Sequence, residues 1–135
     1  MIPSTASLGL AGLLAFAAPA ATVPAKVDSV AAAKGRTTFV RYCVACHGMA
    51  ARGDGPLAKD LRVRVPDLSM LMDGNTFPYQ RVVDSVAKGS SVRGHGTDDM
   101  PAWGPAFNRT AGTGATTVDQ AIHQLAHYIW SIQGK

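Results

Sequence analysis

The sequence has few cysteines, no glutamate and no apolar run long enough to cross a bilayer comfortably. With only two cysteines among 135 residues, a zinc site built from two cysteine pairs is excluded. All nine acidic residues are aspartates, and the 13 lysines and arginines are scattered without a basic run. The net charge of +4 therefore gives no specific support for nucleic-acid binding. The length leaves room for one domain with a modest core.

An export signal is predicted at the N-terminus. The apolar run over residues 8–18 has the length of a secretory h-region and is short for a membrane span. Small residues at 18–20 offer a peptidase site, and those at 23–25 offer a second. No lysine or arginine precedes the apolar run, so the positive n-region is missing and an uncleaved membrane anchor is the alternative. We expect a signal peptide over residues 1–20, with cleavage as late as residue 25. The periplasmic domain then covers residues 26–135, with no stable membrane span after processing.

The segment Cys43-Val44-Ala45-Cys46-His47 contains both cysteines, and C-x-x-C-H is the attachment signature for c-type haem. Two thiols at this spacing can each add to a haem vinyl group, while the adjacent histidine is held under the iron as proximal ligand. A thioredoxin-like dithiol would need a preceding strand, whereas the preceding residues continue a helical pattern. Half of a zinc site and a structural disulfide are the remaining alternatives. The sequence predicts one covalently attached haem c per chain, bound through Cys43 and Cys46 with His47 on the iron.

A second axial ligand is expected to come from the loop Asp98-Asp99-Met100-Pro101. Pro101 stiffens this loop and denies it a helix, so the thioether of Met100 can be held toward the iron. We therefore predict Met100 as the second iron ligand.

The other candidates for this position are Met49, Met70, Met72 and His95. Met49 is too near the proximal histidine to reach the opposite face of the haem. Met70 and Met72 are expected to fill gaps in the core. His95 lies between two glycines, and a solvated side chain is expected there.

The order of these parts resembles that of class I cytochromes c over nearly all of the domain. That family has an N-terminal helix running into C-x-x-C-H, a Gly-Pro-Leu-type turn, a short helix, a Met-Pro loop and a C-terminal helix that crosses the first. The corresponding parts here are Gly35 and Phe39 before Cys43, Gly55-Pro56-Leu57, residues 78–88, Met100-Pro101 and residues 118–133. Gly53-Asp54-Gly55-Pro56 and Met100-Pro101-x-Trp103-Gly104 also resemble small periplasmic monohaem cytochromes and cytochrome domains of oxidase or dehydrogenase complexes.

The resemblance implies an all-α fold in which three to four helices surround one haem. It also implies that the Pro56 carbonyl accepts the Nδ1 hydrogen of His47, which fixes the ring. In the family, an aromatic of the last helix packs against a small residue of the first, and Tyr128 and Gly35 match those positions. Arg62 and Arg64 could pair with the haem propionates, since guanidinium groups suit carboxylates. Surface arginines without such a role are the alternative.

Periodicity predicts a first helix over residues 26–42, capped by Asp28 or Ser29. Val30, Ala33, Thr37 or Thr38 and Val40 follow at helical spacing and are expected on its inner face. A short helix over 79–88 is expected between Pro78 and Gly89.

The last helix is predicted over residues 118–133, opening with the capping box Thr117-Val118-Asp119-Gln120. His123 and His127 on this helix are expected to be solvated and are assigned no role. Trp103 and Phe107 are expected to be core or haem-wall aromatics.

His/Met ligation fills both axial positions of the iron, so we expect an electron-transfer protein and not an enzyme. Its function would be to carry single electrons between periplasmic or membrane redox partners. A basic protein suits acidic docking surfaces on its electron donor and acceptor. The alternatives are an electron-transfer subunit permanently attached to a dehydrogenase or oxidase complex, and a small haem enzyme or ligand binder in which Met100 is not a ligand.

Overall fold

The structure is a computed structural model that describes residues 23–89, 100–110 and 117–134. The predicted signal segment and His95 lie outside the described residues. The described parts contain five α-helices and one 3-10 helix: α1 (Ser29–Tyr42), α2 (Val44–His47), the 3-10 helix (Ala58–Asp60), α3 (Tyr79–Lys88), α4 (Trp103–Thr110) and α5 (Val118–Ser131). Since these ranges contain no strand beyond one isolated bridge, the all-α expectation is confirmed. The short helices α2 and α4 were not expected.

Helices α1 and α5 cross closely and form the centre of the fold. At the crossing, a Cβ atom added to Gly35 would overlap the backbone carbonyl of Gln124. One turn further, the rings of Phe39 and Tyr128 lie 5.1 Å apart between centroids. The predicted close crossing is therefore confirmed, although Gly35 meets the backbone of Gln124 while Tyr128 packs on Phe39.

The N-terminal ends of the long helices are fixed by the expected caps. The Asp28 carboxylate accepts hydrogen bonds from the backbone of Val30 at 2.9 Å and Ala31 at 3.0 Å. At the start of α5, Thr117 and Gln120 exchange the two hydrogen bonds of a capping box. These local bonds satisfy N–H groups that have no partner inside a helix.

The buried face of α1 differs from the predicted one. Val30 and Val40 are exposed, and the stripe that faces α5 consists of Ala32, Gly35 and Phe39. A glycine at a helix crossing contributes to the packed face by letting the backbones approach, so hydrophobicity does not identify it. The prediction for the apolar face of α1 was wrong for this reason.

The two histidines of α5 are not simply solvated. The backbone N–H of Asp28 donates to Nδ1 of His127 at 3.2 Å, which ties the start of α1 to α5. The Tyr79 hydroxyl lies 2.9 Å from Nδ1 of His123, which ties the start of α3 to α5. The described residues contain no group of three or more metal-ligating side chains that could hold an ion, so these histidines act as links between helices.

Helix α3 begins and ends where it was predicted, between Pro78 and Gly89. Its buried residues face the core that α5 shares: Tyr79, Val82, Val83 and Val86. None of the helices in the described ranges is both long and apolar enough to cross a membrane.

Candidate haem site

The C-x-x-C-H segment begins where α1 ends. Cys43 donates its backbone N–H to Phe39 of α1 and accepts from the N–H of His47, both at 2.8 Å. The two cysteines and His47 therefore lie on one nearly continuous helical stretch, which holds the three side chains in a fixed relation.

The loop after His47 folds back onto this stretch. Backbone N–H groups of Gly53, Gly55 and Leu57 donate to the carbonyls of His47, Cys46 and Ala45, at 2.9, 3.1 and 2.9 Å respectively. Gly55 allows the approach, since a Cβ atom there would lie 2.6 Å from the Cys46 carbonyl oxygen. The loop thus supplies partners for carbonyls that the short helix α2 leaves free.

Two cavities meet at His47 and Met100, and both residues line both of them. The first cavity also contains Cys43 and Cys46, and its walls include Tyr42, Leu61, Val63, Val65 and Trp103. The second is walled by apolar residues of three segments, including Leu68, Leu71, Val82, Val86 and Ile129. The arrangement places an imidazole and a thioether on one apolar space that also contains two thiols.

Of the sulfur candidates for the iron, the structure brings only Met100 to the cavities among the described methionines. Met70 is 72% exposed and Met72 is 38% exposed, so the expectation that they fill gaps in the core was wrong. Their neighbours Leu68 and Leu71 line the second cavity instead. Met49 is 60% exposed, consistent with the argument that it cannot reach the opposite face.

His47 is buried, and burial lowers the pKa of its imidazole below the ordinary value. A neutral imidazole is the form that binds iron. Its Nδ1 atom has no hydrogen-bond partner among the described residues, so the bond to Pro56 that the resemblance implied is not formed. The backbone of Pro66 acts on the pKa of His47 in the opposite direction, and burial is the larger of the two effects. The correction follows from the chain path, because the loop after α2 places Pro66, and not Pro56, in the cavity wall.

Both cysteines are free thiols, so the disulfide alternative is not realised here. Burial, and secondarily the neighbouring Cys46, raise the pKa of the Cys43 thiol to about 12. With no cluster of three metal-ligating side chains in the described ranges, the half-zinc-site alternative has no support either. Free thiols, a buried imidazole and a thioether around a shared apolar space fit a covalently attached haem.

The two arginines proposed for the haem propionates line neither cavity. Arg62 and Arg64 are exposed and alternate with Leu61, Val63 and Val65, which face the first cavity. In the structure this alternation places the arginines on the outer side of the segment. The arginine that lines the second cavity is Arg81 of α3, which sequence reasoning missed.

Gln133 is a second residue that sequence reasoning missed. Its amide nitrogen donates to the carbonyls of Leu68 and Ile129, and its amide oxygen accepts from the N–H of Leu71, each at 2.7 Å. The end of the chain thereby fixes the segment that walls the second cavity. No pattern around a single polar residue after a helix signals such a role.

The aromatic expectations are confirmed. Trp103 lines the first cavity and Phe107 is buried, and both pack against Tyr42, with ring centroids 5.5 and 5.2 Å from it.

A comparison with solved structures found a chain of the reducing HAO-like protein complex from Kuenenia stuttgartiensis. The similarity has a TM-score of 0.54 at 18% sequence identity, and it covers 82% of this chain and 47% of that one. The protein thus spans about half the length of this structural relative, and at this identity the likeness shows the fold alone. A comparison with curated proteins found no match.

A family model matches residues 30–129, from the start of α1 to near the end of α5, and is described as "Cytochrome C oxidase, cbb3-type, subunit III". The match includes every residue that lines the two cavities, and therefore both cysteines. The protein therefore belongs to this family of class I-like cytochrome c domains, which implies haem-based electron transfer.

Proposed function

We propose that this protein carries single electrons with one haem c, attached covalently through Cys43 and Cys46 and ligated axially by His47 and Met100. The observation that carries the proposal is that His47 and Met100 line both of the cavities that meet between them. The cysteines lie on the same wall as His47, as attachment at C-x-x-C-H requires.

When bound, the haem supplies an iron that changes between its ferrous and ferric states. With both His47 and Met100 on the iron, no position would remain there for a substrate, which favours transfer of electrons over chemical transformation. The apolar walls would limit the access of water to the iron, and Met100 as the second ligand would raise the reduction potential. These features describe an electron carrier.

We further propose that the protein is exported to the periplasm and exchanges electrons there with acidic partners. The apolar N-terminal run supports export, and the net charge of +4 supports acidic docking surfaces. N-terminal sequencing of the haem-containing protein tests the first part: a start near residue 21 or 26 supports export and cleavage, and an intact Met1 on a membrane-bound protein contradicts cleavage.

A second candidate function is that of an electron-transfer subunit permanently attached to a larger redox complex. The observation that favours it is the exposure of large apolar side chains on the segment between α2 and α3, where Met49, Leu57 and Met70 are each about half exposed or more. Size-exclusion chromatography of the protein as extracted from its own cells distinguishes the two. A carrier elutes as a small protein, and a subunit elutes with its complex.

Substitution of Met100 by Ala tests the axial ligands. The haem should stay attached through the cysteines, but one face of the iron opens to small ligands. We expect the reduction potential to fall and carbon monoxide to bind the ferrous protein readily.

The matched control is Met70→Ala, which removes an exposed thioether and should leave spectrum, potential and carbon monoxide affinity unchanged. A Met100→Ala protein that keeps its potential and refuses carbon monoxide would contradict the assignment of Met100.

Replacement of Cys43 and Cys46 together by Ala tests the covalent attachment. The unmodified protein should retain haem through denaturing electrophoresis, because two thioether bonds hold it, and should stain for haem-dependent peroxidase activity. The double variant should not stain. Staining of the double variant at the level of the unmodified protein would refute attachment at these residues.

A further inference from the structure

The two cavities differ in the chemistry of their walls. The cysteines line only the first cavity, whereas the second contains Arg81 and Ser85, on successive turns of α3. No other lysine, arginine or aspartate lines either of these cavities. His47 and Met100, which line both, mark the boundary between them.

The two halves of a haem also differ in their chemistry. The two vinyl groups that react with cysteine thiols lie on one half of the macrocycle, and the two propionates lie on the opposite edge. If the vinyl half is bound to Cys43 and Cys46 in the first cavity and the iron lies between His47 and Met100, the propionate edge points into the second cavity. The carboxylates then meet the wall that contains Arg81.

We propose that Arg81 binds a haem propionate, with Ser85 as a neutral hydrogen-bond donor beside it. The inference rests on the proposed function, since it assumes haem attached at both cysteines. It replaces the earlier expectation for Arg62 and Arg64, which are exposed and line neither cavity.

The charges around α3 leave Arg81 available for this role. Asp84, one turn along the helix, pairs with Lys88 at 3.2 Å. Within the described parts of the chain, Arg81 has no carboxylate within ion-pair distance. The side chain is exposed yet lines the second cavity, so its guanidinium lies at the mouth, where a carboxylate can meet it without full burial of either charge. A guanidinium forms a paired, charge-assisted hydrogen bond with a carboxylate in this setting.

Two electrostatic effects follow from this pairing. A positive charge near the iron favours the ferrous state, so its loss lowers the reduction potential. The same charge holds the propionate ionised at neutral pH. Its loss raises the pKa of that carboxyl toward neutral pH. A titrating propionate makes the potential fall as pH rises, because the carboxylate stabilises the ferric state.

The test compares Arg81→Gln with Arg62→Gln and Arg64→Gln in the full haem-containing protein. Each change removes one positive charge and keeps a polar side chain. Reduction potentials are measured from about pH 5 to about pH 8, the range into which an unpaired carboxyl can move. We expect a lower potential and a new downward slope with pH for Arg81→Gln only, and Arg81→Lys should recover most of the potential because it restores the charge.

Haem content and circular dichroism of each variant show whether it folds, and Arg81→Lys provides the second variant if Arg81→Gln does not. A folded Arg81→Gln protein with the potential and slope of the unmodified protein overturns the inference, as does the expected change appearing in Arg62→Gln or Arg64→Gln instead. Either result leaves the carrier function standing if covalent haem and Met100 ligation are intact. Absence of covalent haem from the unmodified protein overturns both proposals.

Discussion

Substitution of Gly35 by Ala should have two opposite effects on stability, one within α1 and one at its contact with α5. Ala is a better helix former than Gly by up to about 1 kcal/mol, so the change should stabilise α1 considered alone. In the folded protein the added Cβ would overlap the Gln124 carbonyl of α5. That atom belongs to a helix backbone and cannot move aside by a change of rotamer, so the two helices must separate.

The expected loss of stability follows from the contacts that are weakened when α1 and α5 separate. It weakens the packing of Phe39 and Leu125, whose side chains are completely buried between α1 and α5. Overpacking a core typically costs about 1–3 kcal/mol, and contact with backbone places this site at about 3 kcal/mol. After the gain of about 1 kcal/mol in helix propensity, we expect the free energy of unfolding to fall by about 2 kcal/mol.

Thermal unfolding of the haem-containing protein measures the effect. For a domain near 100 residues, a loss of about 2 kcal/mol corresponds to a Tm lower by about 8–16 °C. The matched control is Ala33→Gly, an exposed exchange in the same helix that should cost about 1 kcal/mol through propensity alone. A Gly35→Ala protein that unfolds at the original temperature or above it would refute the close crossing.

Two other perturbations test the links between distant segments. Gln133→Ala removes three hydrogen bonds and leaves backbone groups of Leu68 and Leu71 without partners, so urea unfolding should show a loss of about 1–3 kcal/mol; no loss would contradict the role of Gln133 in fixing the cavity wall. Burial lowers the pKa of His127 in the folded protein, so the folded state binds fewer protons there than the unfolded state does. The stability that His127 contributes is complete above its ordinary pKa, near 6.5, and is lost as pH falls through that value toward the folded one. Protonation of Nδ1 also breaks its bond to the Asp28 N–H. Urea unfolding between about pH 7.5 and 5.5 should therefore show a smaller acid loss in His127→Gln than in the unmodified protein, and equal slopes would contradict this role.

The sequence alone predicted those features that depend on residues close together along the chain. The C-x-x-C-H spacing places two thiols and a histidine on one helical stretch whatever the rest of the fold does, and the structure keeps them together. The caps at Asp28 and Thr117 and the bounds of α3 are also local, because each depends on hydrogen bonds or dihedral limits within a few residues. Met100 was chosen partly from such a local feature, the proline that follows it.

Only the tertiary structure decided which distant residues meet. Pro66 and not Pro56 lies in the cavity wall beside His47, Arg81 lines the second cavity where Arg62 and Arg64 do not, and Met70 and Met72 are exposed. These outcomes depend on how the segment between α2 and α3, which contains little regular structure, wraps around the cavities. A helix has a fixed period that reveals its faces, but an irregular segment has none. Its side chains are therefore sorted between cavity and solvent by contacts with α3, α5 and Gln133, and no repeat in the sequence records those contacts.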